Sequence, residues 1–220
     1  MTKQLDATWA AGTNAGMLDT GTVATEEGYY IYAMISDVDG SVDYLASLQS
    51  TWSAVVSGGT NPTNYTKGQI IGYMARQTVN LNDVEWSGNY CSCVTNVQAI
   101  SDSSPVSGTW DSYEIVYAPA RSVIDLTLYN NNTSSTNNQH RMYLAYDNGG
   151  AGGLASASKA VSWTETTASG TNYIDRTMEQ ASQLLNDSRS LQAAIGFSAT
   201  ATLVIYFRGF DMPYRLEATS

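Results

Sequence analysis

Charge is scarce in this chain. Of 220 residues only 14% are charged, and ten Lys and Arg face twenty Asp and Glu for a formal net charge of −10. Binding to DNA or RNA needs basic patches that neutralise phosphates and release counterions. Ten scattered cations make no such patch, which argues against a nucleic-acid partner and against attraction to an anionic membrane. Histidine occurs once, at His140. A His-dependent triad therefore has one possible base, beside a polar Asn/Ser/Thr run, and a zinc site lacks ligands. Cysteine occurs twice, at Cys91 and Cys93. In a strand an i, i+2 pair points both thiols the same way with Cα atoms roughly 6.5–7 Å apart. That is at or beyond the usual disulfide span of about 4.4–6.8 Å, so two reduced, packed thiols are expected. No apolar run approaches the length of a membrane span, and no apolar stretch follows the polar N-terminus as in a signal peptide. Membrane insertion is not expected.

What is present is apolar, aromatic and β-patterned. Hydrophobic residues make up 43% of the chain, and fifteen Tyr and five Trp outnumber three Phe. Amphipathic aromatics in that excess suit interfaces. The length allows a substantial core, and the reading adopted is one domain over residues 1–220, with 1–28 an extended N-terminal segment packed on it or on a neighbour.

The strongest local signal is a hairpin from Tyr29 to Ser47. Tyr29–Ser36 is aromatic and β-branched, Ser41–Ser47 alternates, and Asp37-Val38-Asp39-Gly40 between them is a tight-turn sequence. Period 2 puts Tyr30, Tyr32, Met34 and Ser36 on one face and Tyr29, Ile31, Ala33 and Ile35 on the other. Both faces carry apolar groups, so the hairpin belongs inside a sandwich or against another subunit. Ser50–Lys67 reads as a loop, broken at Gly58-Gly59-Thr60-Asn61-Pro62. Further strands are expected at 69–79, 89–100, 112–117, 121–130, 140–146, 158–165 and 172–177. Turns fall at 80–88 and 101–108, a polar loop at 130–139 and a long hairpin tip at Asp147–Gly153. For Met178–Leu185 propensity favours helix. Roughly twelve short strands with regularly spaced turns indicate an all-β, antiparallel β-sandwich. A jelly-roll-like arrangement is chosen because its crossovers accommodate long loops at the ends.

The N-terminal run Lys3-x-Leu5-Asp6-x-x-Trp9-x-x-Gly12-Thr13-x-x-Gly16-x-Leu18-Asp19-Thr20-Gly21, the aromatic strand and the Asp-Gly hairpin resemble a domain of tailed-phage and prophage virion structural proteins, usually tail-fibre or receptor-binding proteins. Tyr65-Thr66-Lys67 with Ile70-Ile71-Gly72, and the closing Arg208-Gly209-Phe210, extend the likeness. It departs at Gly68-Gln69, where the family is more basic, and at Ser50–Asn64, where the loop is enlarged. The resemblance implies strands at Met178–Leu185, 191–197 and 202–210, a homotrimer, and a place on the virion exterior, on tail or capsid surface, among other virion proteins. It implies the host-contacting tip of a fibre or spike, with a host-surface glycan or protein as partner. A capsid decoration or head-fibre protein is the alternative, the more so because no fibre shaft or heptad stretch precedes the domain. A polysaccharide depolymerase is the second alternative.

The residues themselves offer no catalytic set. Gly-x-Ser-x-Gly and Walker-type runs are missing, and Gly149-Gly150-Ala151-Gly152-Gly153 lacks dinucleotide spacing. Glu85, Glu114, Glu165, Glu179, Asp175 and Asp211 are the carboxylates a glycosidase would need in pairs, but they sit singly. Asp37-x-Asp39-Gly40-x-x-Asp43 is too short for an EF-hand loop and reads as a turn. Neither an enzyme, a cofactor nor a metal is expected. Glycan recognition needs only an aromatic ring for a sugar face and amides or acids for hydroxyls. Trp52, Tyr65, Trp86 and Trp110 lie in or beside expected loops and are the candidates; each also fits a packing role.

Overall fold

The computed structural model describes residues 1–19, 22–58, 62–76, 84–102, 109–132, 139–145, 162–167, 175–185, 188–196 and 202–212. The described residues form fourteen strands and one six-residue helix, so the chain is all-β. Where the sequence suggests one sandwich over residues 1–220, the contacts gather into two compact units. One holds the described residues up to Arg76, the other those from Val84 to Met212.

The first unit contains β1 (Lys3–Thr8), β2 (Ala15–Leu18), β3 (Glu27–Ile35), β4 (Val42–Ser47), α1 (Trp52–Ser57) and β5 (Lys67–Arg76). They form one five-stranded sheet in the order β1-β2-β4-β3-β5. The hairpin is β3–β4, antiparallel, with Tyr30 opposite Ser47 and Ile35 opposite Val42. Its turn is closed by Ser36 N donating to Ser41 O and Gly40 N to Ser36 O. Gly40 takes φ 70°, the left-handed conformation that a side chain disfavours. Asp39 accepts from both Ser41 N and Ser41 Oγ, and bonds from Ser36 and Ser41 hold its carboxyl down at about 2. Tyr30, Tyr32, Met34 and Ser36 are all buried, as the alternation predicts. The opposite face is mixed: Tyr29 and Ala46 are buried with Met17 and Leu18, Leu5, Ile31, Tyr44 and Met74 pack around them, and Ile35 and Val42 stay exposed.

Two features of this unit correct the sequence reading. Residues 1–28 are not simply extended: β1 pairs with β2, and β2 with β4, both in parallel, within an otherwise antiparallel sheet. The expected loop at 50–67 contains α1, because Thr51 in extended conformation caps it, its hydroxyl accepting from Ala54 N at 3.4 Å.

The second unit contains β6 (Val84–Ser87), β7 (Tyr90–Asp102), β8 (Asp111–Glu114), β9 (Val123–Asn132), β10 (Gln139–Ala145), β11 (Ser162–Thr167), β12 (Asp175–Leu184), β13 (Ser190–Gly196) and β14 (Thr202–Asp211). One sheet runs β12-β9-β14-β7-β6, the other β11-β10-β13-β8, and every pair is antiparallel. The chain passes from β7 to β8, β9 and β10 by changing sheets each time. It stays in the second sheet for β11, then alternates again through β12, β13 and β14.

Register aligns three apolar rows across the five-stranded sheet: Leu128, Ile205 and Ile100; Leu126, Phe207 and Val97; Ile124, Phe210 and Cys91. All nine are buried. Burying each Ile, Leu, Val or Phe side chain contributes roughly 1.5–3 kcal/mol. Tyr143, Leu144, Leu191, Gln192 and Ala193 are buried in the other sheet, and Tyr117 lies 5.9 Å from the Phe207 ring. This is an antiparallel β-sandwich.

Met178–Leu185, a helix by propensity, is strand: β12 pairs residue for residue with β9, Met178 opposite Tyr129 and Leu184 opposite Val123. The ten-residue ladder outweighs propensities worth a few tenths of a kcal/mol per residue. The expected turn at 80–88 contains β6. The expected tip at Asp147–Gly153 lies outside the described residues.

Candidate functional site

The four candidate rings divide between the units. Trp52 is the first residue of α1. Its indole Nε1 donates to Thr66 O at 2.8 Å, and its ring lies 5.5 Å from that of Tyr32. Beneath it is Gly68 of β5, where an added Cβ would come within 2.3 Å of Trp52 Cε3. The strand thus needs glycine there for the indole to lie on it, and one ring face is spent on packing. Tyr65 is buried, edge-on to Trp9 with ring centroids 5.5 Å apart. Burial first, and then the charge of Asp43, raises its phenol pKa.

In the second unit Trp110 is 3% exposed and packs 6.2 Å from the Tyr143 ring. Tyr65 and Trp110 therefore have no ring face open to a sugar, because both were absorbed by the packing alternative that the sequence left standing. Trp86 differs. It is 40% exposed, on β6 at the edge of the five-stranded sheet, and stands perpendicular to Phe210 at 5.7 Å. Opposite Cys91 in the ladder, it continues the row Ile124, Phe210, Cys91 outward to the sheet edge. One side rests on Phe210 and the other meets solvent, next in the chain to the turn Ser87-Gly88-Asn89, while Glu85 falls on the opposite face of the strand. No protein-family model matches the chain, and no curated protein matches it.

The carboxylates of the hairpin turn are each spent on a separate partner. Asp37 accepts from Thr66 N and Thr66 Oγ1, both at 2.9 Å, and so ties the turn to the segment before β5. Asp39 holds Ser41. Asp43, 2% exposed, meets Lys3 Nζ at 2.8 Å. Among the described residues no group of three or more His, Cys, Asp or Glu is arranged to hold a metal ion. Of the six acids considered for glycoside chemistry, Glu114 is paired with Arg189 at 2.6 Å. His140 lies on β10 opposite Thr166.

Cys91 and Cys93 are free thiols, the first buried and the second half-buried. Burial pushes the Cys91 thiol up to about 12, with a further contribution from Cys93, and the Cys93 thiol up to about 11. Such thiols are poor nucleophiles at neutral pH.

The Lys3–Asp43 pair was missed by sequence reasoning, which saw Asp43 as part of a turn. The signal was available: alternation along β4 places Asp43 on the same face as Leu45 and Ser47, and a carboxylate on a buried face requires a partner.

Proposed function

We propose that this protein is a structural protein of a tailed-phage virion that contacts the host surface, as the tip domain of a tail fibre or spike. The observation that carries the reading is the strand order of the second unit. Strands β7-β14-β9-β12 in one sheet and β8-β13-β10-β11 in the other, with the chain changing sheets at every step from β7 to β14 except β10 to β11, support a jelly-roll reading. That architecture is used repeatedly by viral shell and lectin domains. Fold alone does not assign function, so the reading needs a site. Trp86 supplies the best one: a ring resting on Phe210, partly open to solvent, and followed in the chain by the polar turn Ser87-Gly88-Asn89. The N-terminal resemblance to virion proteins supports the same reading independently.

A homotrimer belongs to this proposal. Ile35 and Val42 face each other across β3–β4 at 56% and 46% exposure, and an apolar pair open on a sheet face suits a subunit contact. Three copies also convert weak single-ring contacts into useful avidity.

The test is a glycan array probed with the purified protein and with Trp86→Ala. Binding to host-surface polysaccharide that falls at least tenfold in the variant, with unchanged thermal unfolding, supports the reading. Binding that is undiminished in the variant removes Trp86 from the site, and no binding to any host glycan favours capsid decoration.

A further inference from the structure

The interior of the first unit holds an arrangement that the proposed function does not use. Lys3 Nζ lies 2.8 Å from Asp43 Oδ1, and the two side chains are 4% and 3% exposed. Around them, Nζ also donates to Ala10 O at 2.6 Å and sits 5.5 Å from the centroid of the Trp9 ring. Gly12 N donates to Asp43 Oδ2 at 2.9 Å and Tyr44 N to Oδ1 at 2.7 Å. Tyr65 stands edge-on to Trp9 and close enough to feel the Asp43 charge. Trp9 Nε1, buried, has no acceptor among the described residues. An amine and a carboxyl are thus held in contact, walled by aromatic rings and nearly sealed from water.

We propose that Lys3 and Asp43 are a modification site at which the two side chains condense to an intramolecular isopeptide bond. Transfer of one proton along the Nζ–H···Oδ1 contact gives a neutral amine and a neutral acid. The amine lone pair then attacks Cγ, and the C–N bond forms. Contact distance and fixed orientation replace a bimolecular encounter. Charge develops on Oδ2 in the tetrahedral intermediate, where the Gly12 N–H already points. The second amine proton joins Oδ1, its bond to Cγ breaks, and Oδ1 departs as water. One ammonium and one carboxylate become one amide and one water, with no oxidant and no co-reactant. The product fastens the outermost strand β1 covalently to β4, across the parallel strand β2 that lies between them.

Intact-mass spectrometry of the denatured full chain tests this. The expected mass is lighter than that of the sequence by one water, and digestion yields a branched peptide joining residue 3 to residue 43. Lys3→Arg keeps the positive charge and cannot make this amide in the same way; it is expected at full sequence mass. Asp43→Asn is expected to lose one ammonia instead. A wild-type chain that stays at full sequence mass after prolonged incubation in the folded state, with no branched peptide, overturns the proposal. So does a loss of water that maps elsewhere or persists in Lys3→Arg. The wild-type peptide map decides the matter even if a variant fails to fold.

Discussion

Trp52 offers the sharpest contrast between a packing ring and a binding ring. Replacing it by Ala removes an indole lying on Gly68 and against Tyr32, and leaves Thr66 O without its donor. With about 100 Å² of half-buried ring returned to water at ~25 cal/mol per Å², the loss is about 2.5 kcal/mol. The hydrogen bond adds about 1 kcal/mol. Trp52→Ala should therefore cost ~3.5 kcal/mol. Gly68→Ala attacks the same contact from below: a methyl directed into ring carbons at 2.3–2.7 Å must displace the indole, at a cost of about 1–3 kcal/mol. In the double variant the methyl has free space and its cost disappears. The two substitutions should thus couple by about 1–3 kcal/mol in a double-mutant cycle. Urea unfolding followed by near-ultraviolet circular dichroism, fitted for the transition of the first unit, measures all three. Additive effects, or a Trp52→Ala variant within about 0.5 kcal/mol of wild type that nonetheless loses host binding, would refute the packing argument and return Trp52 to the sugar-platform role.

Trp110→Ala should lose about 3–5 kcal/mol, the range for a large buried aromatic, measured as a lower urea midpoint; a change under about 1 kcal/mol would place the ring outside the core. Cys91 and Cys93 should react with a disulfide reagent at pH 8 far more slowly in the folded protein than in urea. Their folded pKa values lie above the ordinary thiol value of 9.0, so the protonated thiols stabilise the fold at neutral pH. That contribution is lost as pH rises from about 9 through 11–12. Prompt labelling of both thiols at pH 8 would contradict the burial.

Much of the fold was legible because its signals are local. The β3–β4 hairpin announces itself through alternation and an Asp-Gly turn, and its buried face is Tyr30, Tyr32, Met34 and Ser36 as read. What escaped depends on partners distant in sequence. The parallel addition of β1 beside β2 leaves no periodic mark in a six-residue and a four-residue strand. The helix at Trp52–Ser57 is one and a half turns, too short for periodicity, and only its Thr51 cap was readable. The strand at β12 was expected from the resemblance and not from its helix-forming residues, because its pairing with β9 and not its own propensity decides its state. At the candidate site, sequence found the aromatic rings but could not rank them. Trp86 and Trp110 look alike in a loop-rich stretch; they are separated by a ladder that leaves one at a sheet edge and seals the other against Tyr143.

The reading of this chain as a host-contacting virion protein is tested most directly by locating it on a particle. Gold-labelled antibody raised against the purified protein should mark the distal tail of intact virions, and the same antibody should block adsorption to host cells. Label confined to the capsid lattice with adsorption unaffected, or no label on any particle, would contradict it.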